Sequence, residues 1–211
     1  MTTEAHILFG KSPYPSSKLN MSLMPNLRPQ QQTVLANELT YESRVNGFWF
    51  SVLSRYFSTP GYLINAEEHV TSADRPDLYV TRLQWGTNDQ SVTFIPAAVF
   101  EGKGTTPGAD NFEKIKAQLD RYGRSTTSTG NVGGVYCIGA KGRKISFWHF
   151  KKGDSIELKP IISSSAGSRG ELIVKSTAAM PPELDVLDDA VKINDYFQFI
   201  LANPTPNIRY T

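Results

Sequence analysis

A change in hydrophobic period divides this chain and limits what it can fold into. From Thr33 to Phe57, the residues Leu35, Glu38, Glu42, Val45, Trp49, Val52 and Tyr56 recur at spacings of three and four. That predicts a helix with two acids set into an apolar stripe. The period then falls to two, and Tyr62–Asn65, Leu78–Leu83 and Val92–Phe100 read as strands separated by polar or glycine-containing turns. Asp110 or Asn111 can cap a second helix through Phe112, Ile115, Leu119 and Tyr122, which Gly123 is expected to break. Gly134–Ile138 and Ile145–Phe150 add two strands. The order helix, three strands, helix, two strands predicts an α/β fold with a central mixed sheet flanked by helices.

The flanks are less regular. Pro13, Pro15, Pro25 and Pro29 predict an irregular arm over residues 12–30, with Met21, Leu23, Met24 and Leu27 as its anchors. Beyond residue 151, Ile156–Ile162 and Leu172–Lys175 read as strands and Leu184–Leu201 as a terminal helix stopped by Asn203-Pro204. The expected organisation is an arm over 1–32 and one α/β domain over 33–203, of which 151–203 is a C-terminal elaboration, followed by a tail over 204–211. A chain of 211 residues can bury one substantial core, and 39% apolar residues can fill it.

Cys137 is the only cysteine, so an internal disulfide and a thiolate-rich zinc site are excluded. With 22 Lys and Arg against 20 Asp and Glu, the net charge of +2 permits nucleic-acid binding without demanding it, so any basic footprint must be local. No secretory signal pattern and no apolar run of bilayer-spanning length is present, which leaves cytoplasm or nucleus as the expected compartment and no membrane partner.

The chemistry concentrates in two short runs. Asp77 lies in Arg-Pro-Asp-Leu-Tyr-Val (75–80), and the chain later reads Phe-Glu-Gly-Lys-Gly (100–104). Glu101 and Lys103 are two residues apart, so they share one side of a strand while Gly102 takes the other. Two carboxylates and an amine can hold a divalent cation and prepare water for attack on a phosphodiester. Hard oxygen ligands, including the Gly102 carbonyl, suit Mg²⁺ with Mn²⁺ as a substitute, and the ammonium orients or stabilises what the metal activates. Gln118 and Tyr122 sit one helical turn apart and can reach the same patch. Arg121, Arg124, Lys141, Arg143 and Lys144 form a candidate path for a polyanion, with Lys151 and Lys152 as its extension. Tyr79, Trp85 and Trp148 lie in alternating apolar contexts that favour burial in the sheet over base stacking. The glycine-rich runs 130–135 and 139–143 fit hairpin turns, not phosphate loops.

With Pro76-Asp77, Glu101-Gly102-Lys103 and a Gln118-x-x-x-Tyr122 pair in this order, residues 33–150 resemble the PD-(D/E)XK nuclease superfamily, which includes restriction-endonuclease-like and RecB-like nucleases. The resemblance implies a restriction-endonuclease-like fold in which Glu42 or Glu38 is the helical acid. It makes Asp77 and Glu101 the principal metal ligands, Lys103 the catalytic amine, and Gln118 and Tyr122 the supporting pair. The implied activity is Mg²⁺-dependent hydrolysis of DNA. The same pattern also suits an RNA-directed nuclease, or a catalytically inactive module that binds nucleic acid or protein, as in a pathogen effector.

Overall fold

A computed structural model describes residues 23–24, 26–66, 70–71, 74–163, 172–175 and 179–204. In chain order the elements are α1 (Pro29–Asn37), α2 (Glu42–Tyr56), β1 (Tyr62–Ala66), β2 (Leu78–Trp85), β3 (Val92–Lys103), α3 (Phe112–Thr129), β4 (Gly134–Lys141), β5 (Lys144–Lys151), β6 (Leu158–Ser163), β7 (Leu172–Val174), β8 (Leu184–Asp185) and α4 (Ala190–Ala202). The strands form one mixed sheet in the order β1-β2-β3-β4-β5-β6-β7, with β8 beside β5. Every pairing is antiparallel except β3 with β4. A parallel pair needs a crossover connection, and α3 supplies it.

Side-chain alternation distributes the core between the two faces of the sheet. Ala98 and Phe100 of β3, Tyr136 and Ile138 of β4, and Phe147 of β5 pack with Trp49 and Leu53 of α2 and Phe197 of α4. The intervening Val99, Val135, Cys137 and Trp148 pack with Ile115, Leu119 and Tyr122 of α3. Ile115 and Leu119 are fully buried, and each contributes about 1.5–3 kcal/mol of hydrophobic stabilisation relative to exposure. Asn111 caps α3 by accepting from the Lys114 backbone N–H at 3.0 Å, and Glu113 adds an acid to the first turn, where the helix dipole favours it.

Several boundaries differ from expectation for identifiable reasons. The helix expected over Thr33–Phe57 is two helices, broken between Asn37 and Glu42. At the break the Thr40 carbonyl accepts from the Thr105 N–H at 2.9 Å, so the corner is tied to the chain leaving β3. Gly123 does not end α3. A Cβ there would lie 2.5 Å from the Phe150 ring, so this glycine serves close approach of helix to sheet. The expected terminal helix from Leu184 begins with β8 and becomes helical only at Ala190. Leu23 and Met24 are buried as anchors, while Met21 and the arm before it lie outside the described residues, as does the tail from Thr205. No described helix is long and apolar enough to cross a membrane.

Two glycine substitutions separate packing from propensity. Gly123→Ala is expected to lower unfolding free energy by about 1–3 kcal/mol through overpacking. Gly47→Ala, inside α2 with nothing within 4 Å of the added Cβ, is expected to raise it by about 0.5–1 kcal/mol. Urea unfolding of both variants measures the contrast.

Candidate active site

The antiparallel register of β2 and β3 brings the two chemical runs together. Leu78 lies opposite Phe100, so Asp77 immediately precedes the ladder beside Glu101 and Gly102. Its Oδ2 accepts from the Gly102 backbone N–H at 2.8 Å. Strand β3 extends three residues past its expected end at Phe100, so Glu101 and Lys103 are held by regular pairing, with β4 on their other side. Gly102 turns toward α2 instead, where a Cβ would lie 2.1 Å from Asn46 Oδ1 and 3.2 Å from Val45.

Lys103 joins two acids. Its Nζ lies 2.6 Å from Glu101 Oε1 and 3.0 Å from Glu42 Oε1. Glu42 is the first residue of α2, favoured there by the helix dipole. The other candidate acid, Glu38, is paired with Arg44 at 2.6 Å on the exposed side of the α1–α2 corner. Glu42 is therefore the helical acid that meets Lys103. An open cleft of about 420 Å³ runs past Tyr41, Glu42, Lys103, Gly104, Thr106 and Asp110.

Burial dominates the electrostatics. Glu101 is 2% exposed. Desolvation, reinforced by the Asp77 charge, pushes its carboxyl up to about 7 against the pull of Lys103. Asp77 is also raised by burial, although the Gly102 N–H and the Lys103 charge favour its charged form. Burial opposes the charge on Lys103, yet its hydrogen bonds to Glu101 and Glu42 win and hold the amine well above its ordinary range. Tyr122 is buried on α3, and desolvation with the Glu101 charge lifts its hydroxyl to about 12. Gln118, one turn earlier, has its Oε1 buried without a hydrogen-bond partner.

Among the described residues, no group of three or more His, Cys, Asp or Glu side chains is gathered in a way that could hold a metal ion. Glu42 and Glu101 are held together by an ammonium. The donor chemistry nonetheless fits a hard cation. Asp77 and Glu101 supply carboxylate oxygens, and Glu101 Oε2 is buried with no partner, an orphan that a cation would satisfy.

The basic path is largely committed to ion pairs within the chain. Arg121 meets Asp74 at 2.6 Å, Arg124 meets Asp120 at 3.0 Å and also Glu157, Arg143 meets Asp185 at 2.6 Å, and Lys144 meets Glu183 at 3.0 Å. Lys141 stands opposite Lys103 in the β3–β4 ladder. Of the aromatic residues, Trp148 is buried, whereas Trp85 is 48% exposed at the end of β2 remote from Asp77, with its Nε1–H donated to the Pro60 carbonyl. Sequence reasoning passed over Asn46, although its i, i+4 relation to Glu42 puts both on one helix face. It also passed over Asp74, whose only signal was its place three residues before Asp77.

Comparison with protein-family models, curated proteins and solved structures returned no match.

The Glu101 shift has a measurable sign. Between about 4.5 and 7 the folded protein retains a proton that the unfolded chain has released, so stability falls as pH rises through that interval. Glu101→Gln removes this titration. With chelator present, the melting temperature of the wild type is expected to drop relative to Glu101→Gln from pH 4.5 to 7, and calorimetry across that range measures it.

Proposed function

We propose that the chain is a Mg²⁺-dependent nuclease of the PD-(D/E)XK type that hydrolyses phosphodiester bonds in DNA, with Mn²⁺ able to replace Mg²⁺. The observation that carries this reading is the meeting of Asp77, Glu101 and Lys103 at the adjoining ends of β2 and β3, beside Glu42 of the preceding helix. The sequence of helix α2, three antiparallel strands, crossover helix α3 and a fourth strand parallel to the third supports a restriction-endonuclease-like assignment.

In this mechanism Asp77, Glu101 and the Gly102 carbonyl would hold the cation. When bound, Mg²⁺ lowers the pKa of water and offsets charge on the phosphoryl oxygens. Lys103 already donates to carboxylate oxygens, and released from Glu42 it can direct its protons at the attacking water or the developing negative charge. Its raised pKa suits a donor, not a general base. Gln118 and Tyr122 of α3 would be the supporting pair on that side of the site, with Tyr122 close enough to Glu101 to feel its charge.

A second reading has its own support. The ion pairs made by Arg121, Arg124, Arg143 and Lys144 leave little free positive charge for a polyanion, which favours the protein-binding form of a non-catalytic nuclease-fold module over its nucleic-acid-binding form.

Purified protein is expected to cleave DNA with Mg²⁺ or Mn²⁺ and to stop with chelator. Asp77→Ala and Glu101→Ala should abolish turnover together with metal binding. Lys103→Ala should retain binding and lose about 10²–10³-fold in turnover. Gln118→Ala should lower turnover more than it lowers the melting temperature. Duplex DNA, single-stranded DNA and RNA are assayed in parallel, and no cleavage of any of them together with no metal binding selects the non-catalytic module.

A further inference from the structure

We propose that Tyr41, exposed at the mouth of the cleft beside Lys103, stacks on a nucleobase, so that the site takes single-stranded DNA in preference to duplex. This rests on the nuclease reading for its class of substrate and adds to it the form of strand taken.

Tyr41 immediately precedes Glu42, the acid that receives the Lys103 ammonium at 3.0 Å. Tyr41, Glu42 and Lys103 all line the open cleft of about 420 Å³, together with Gly104 and Thr106 from the chain leaving β3. Both contributing segments are tied. The Thr40 carbonyl accepts from the Thr105 N–H at 2.9 Å, and the Tyr41 carbonyl accepts from the Arg44 and Val45 N–H groups at 3.0 Å. The side chain is held as well. The Arg44 guanidinium lies 5.2 Å from the Tyr41 ring centroid, and Glu38 pairs with that guanidinium at 2.6 Å. Tyr41 is nonetheless 57% exposed, so Arg44 leaves much of the ring open. It belongs to neither buried cluster, and core packing therefore gives no reason for an aromatic residue at this place.

Stacking on a protein ring needs an open base face, and both faces of an internal duplex base are already covered by its neighbours. An unpaired base meets no such competition. The charges of the chain act in the same direction. Arg121, Arg124, Arg143 and Lys144 are held in ion pairs with acids of the chain, so phosphate contacts supply less of the binding and an aromatic contact supplies more. Every base has a π-face, so a site of this kind reads little sequence. Glu38 also acquires a part here. Away from Lys103, it steadies the guanidinium that lies against the Tyr41 ring.

A single-stranded oligonucleotide carrying 2-aminopurine, whose fluorescence falls on stacking, is titrated with the full chain in Ca²⁺ in place of Mg²⁺. A dumbbell duplex of the same sequence, which has no open ends, is titrated beside it, and cleavage in Mg²⁺ is measured separately. The wild type should quench the single strand. Tyr41→Ala should weaken single-strand binding by about 10-fold and remove the quenching, with little change for the duplex, and Tyr41→Trp should restore both. Because Tyr41 is exposed, the melting temperature of each variant should stay near that of the wild type. Wild-type binding and quenching by folded Tyr41→Ala, an equal loss on the duplex, or no single-strand binding by the wild type would each overturn the stacking site. Metal-dependent cleavage persisting alongside any of those results would leave the nuclease reading intact. Quenching that depends on Tyr41 in a protein that cuts nothing would uphold the stacking site and remove the catalytic reading alone.

Discussion

The second half of strand β3, from Ala98 onward, is enclosed on every side, and the candidate site follows from that constraint. It pairs with β2 on one edge and β4 on the other, while α2 covers one face and α3 the opposite face. Its interior residues Ala98, Val99 and Phe100 are fully buried, as an apolar run in a central strand should be. Glu101 continues the same strand into the same enclosure. An ionised carboxylate cannot be carried there without compensation, since the desolvation penalty amounts to several kcal/mol. The amine of Lys103, two residues along on the same face, supplies it at 2.6 Å.

That compensation also sets the arrangement of the neighbouring elements. The Lys103 ammonium reaches Glu42 as well as Glu101, linking the start of α2 to the end of β3. The α1–α2 break belongs to the same junction. A Cβ on Gly104 would lie 2.1 Å from the Thr40 carbonyl oxygen, and the Thr105 N–H donates to that oxygen. Leu39, just before the corner, is 2% exposed, so an apolar anchor holds the junction from within. Replacing Lys103 by a neutral residue would leave Glu101 buried and unpaired, which typically costs about 3–5 kcal/mol. In the absence of a divalent cation, the residue proposed as the catalytic amine is thus also a structural counter-ion.

The alternation of helix and strand and the same-face placing of Glu101 and Lys103 could be read from sequence because they depend on local periodicity and spacing, whereas the approach of Asp77 depends on the β2–β3 register. What escaped reading depends on partners distant in the chain. A single period of three and four runs through Thr33–Phe57, and only the Thr105 contact shows why the backbone leaves the helix at Thr40. Gly123 carries the usual mark of a helix end, yet its role is set by Phe150, which is 27 residues away by number and adjacent in space. The basic residues of the expected path were recognisable as charges, but their acidic partners Asp74, Glu157, Asp185 and Glu183 come from separate segments. Choosing Glu42 over Glu38 likewise required the position of Lys103.

Asp77 itself shows how a residue outside regular structure can still be held to a defined place. The segment leading to it is fixed by Asp74, which is 6% exposed and accepts from Arg121 at 2.6 Å, from Thr71 at 3.2 Å and from Ser125. Those bonds keep the Asp74 carboxyl below its usual range despite burial. They tie the approach to β2 onto α3, while the Gly102 N–H ties Asp77 to β3. Arg121, a candidate for gripping a polyanion, is thereby engaged in positioning the acid, and its guanidinium also lies 5.2 Å from the Tyr122 ring centroid. These attachments come from two elements, α3 and β3, that only the finished fold assembles. Order at Asp77 is therefore a property of the folded sheet and its covering helix α3 together, and a cation bound by Asp77 and Glu101 would meet ligands already held in place by that packing.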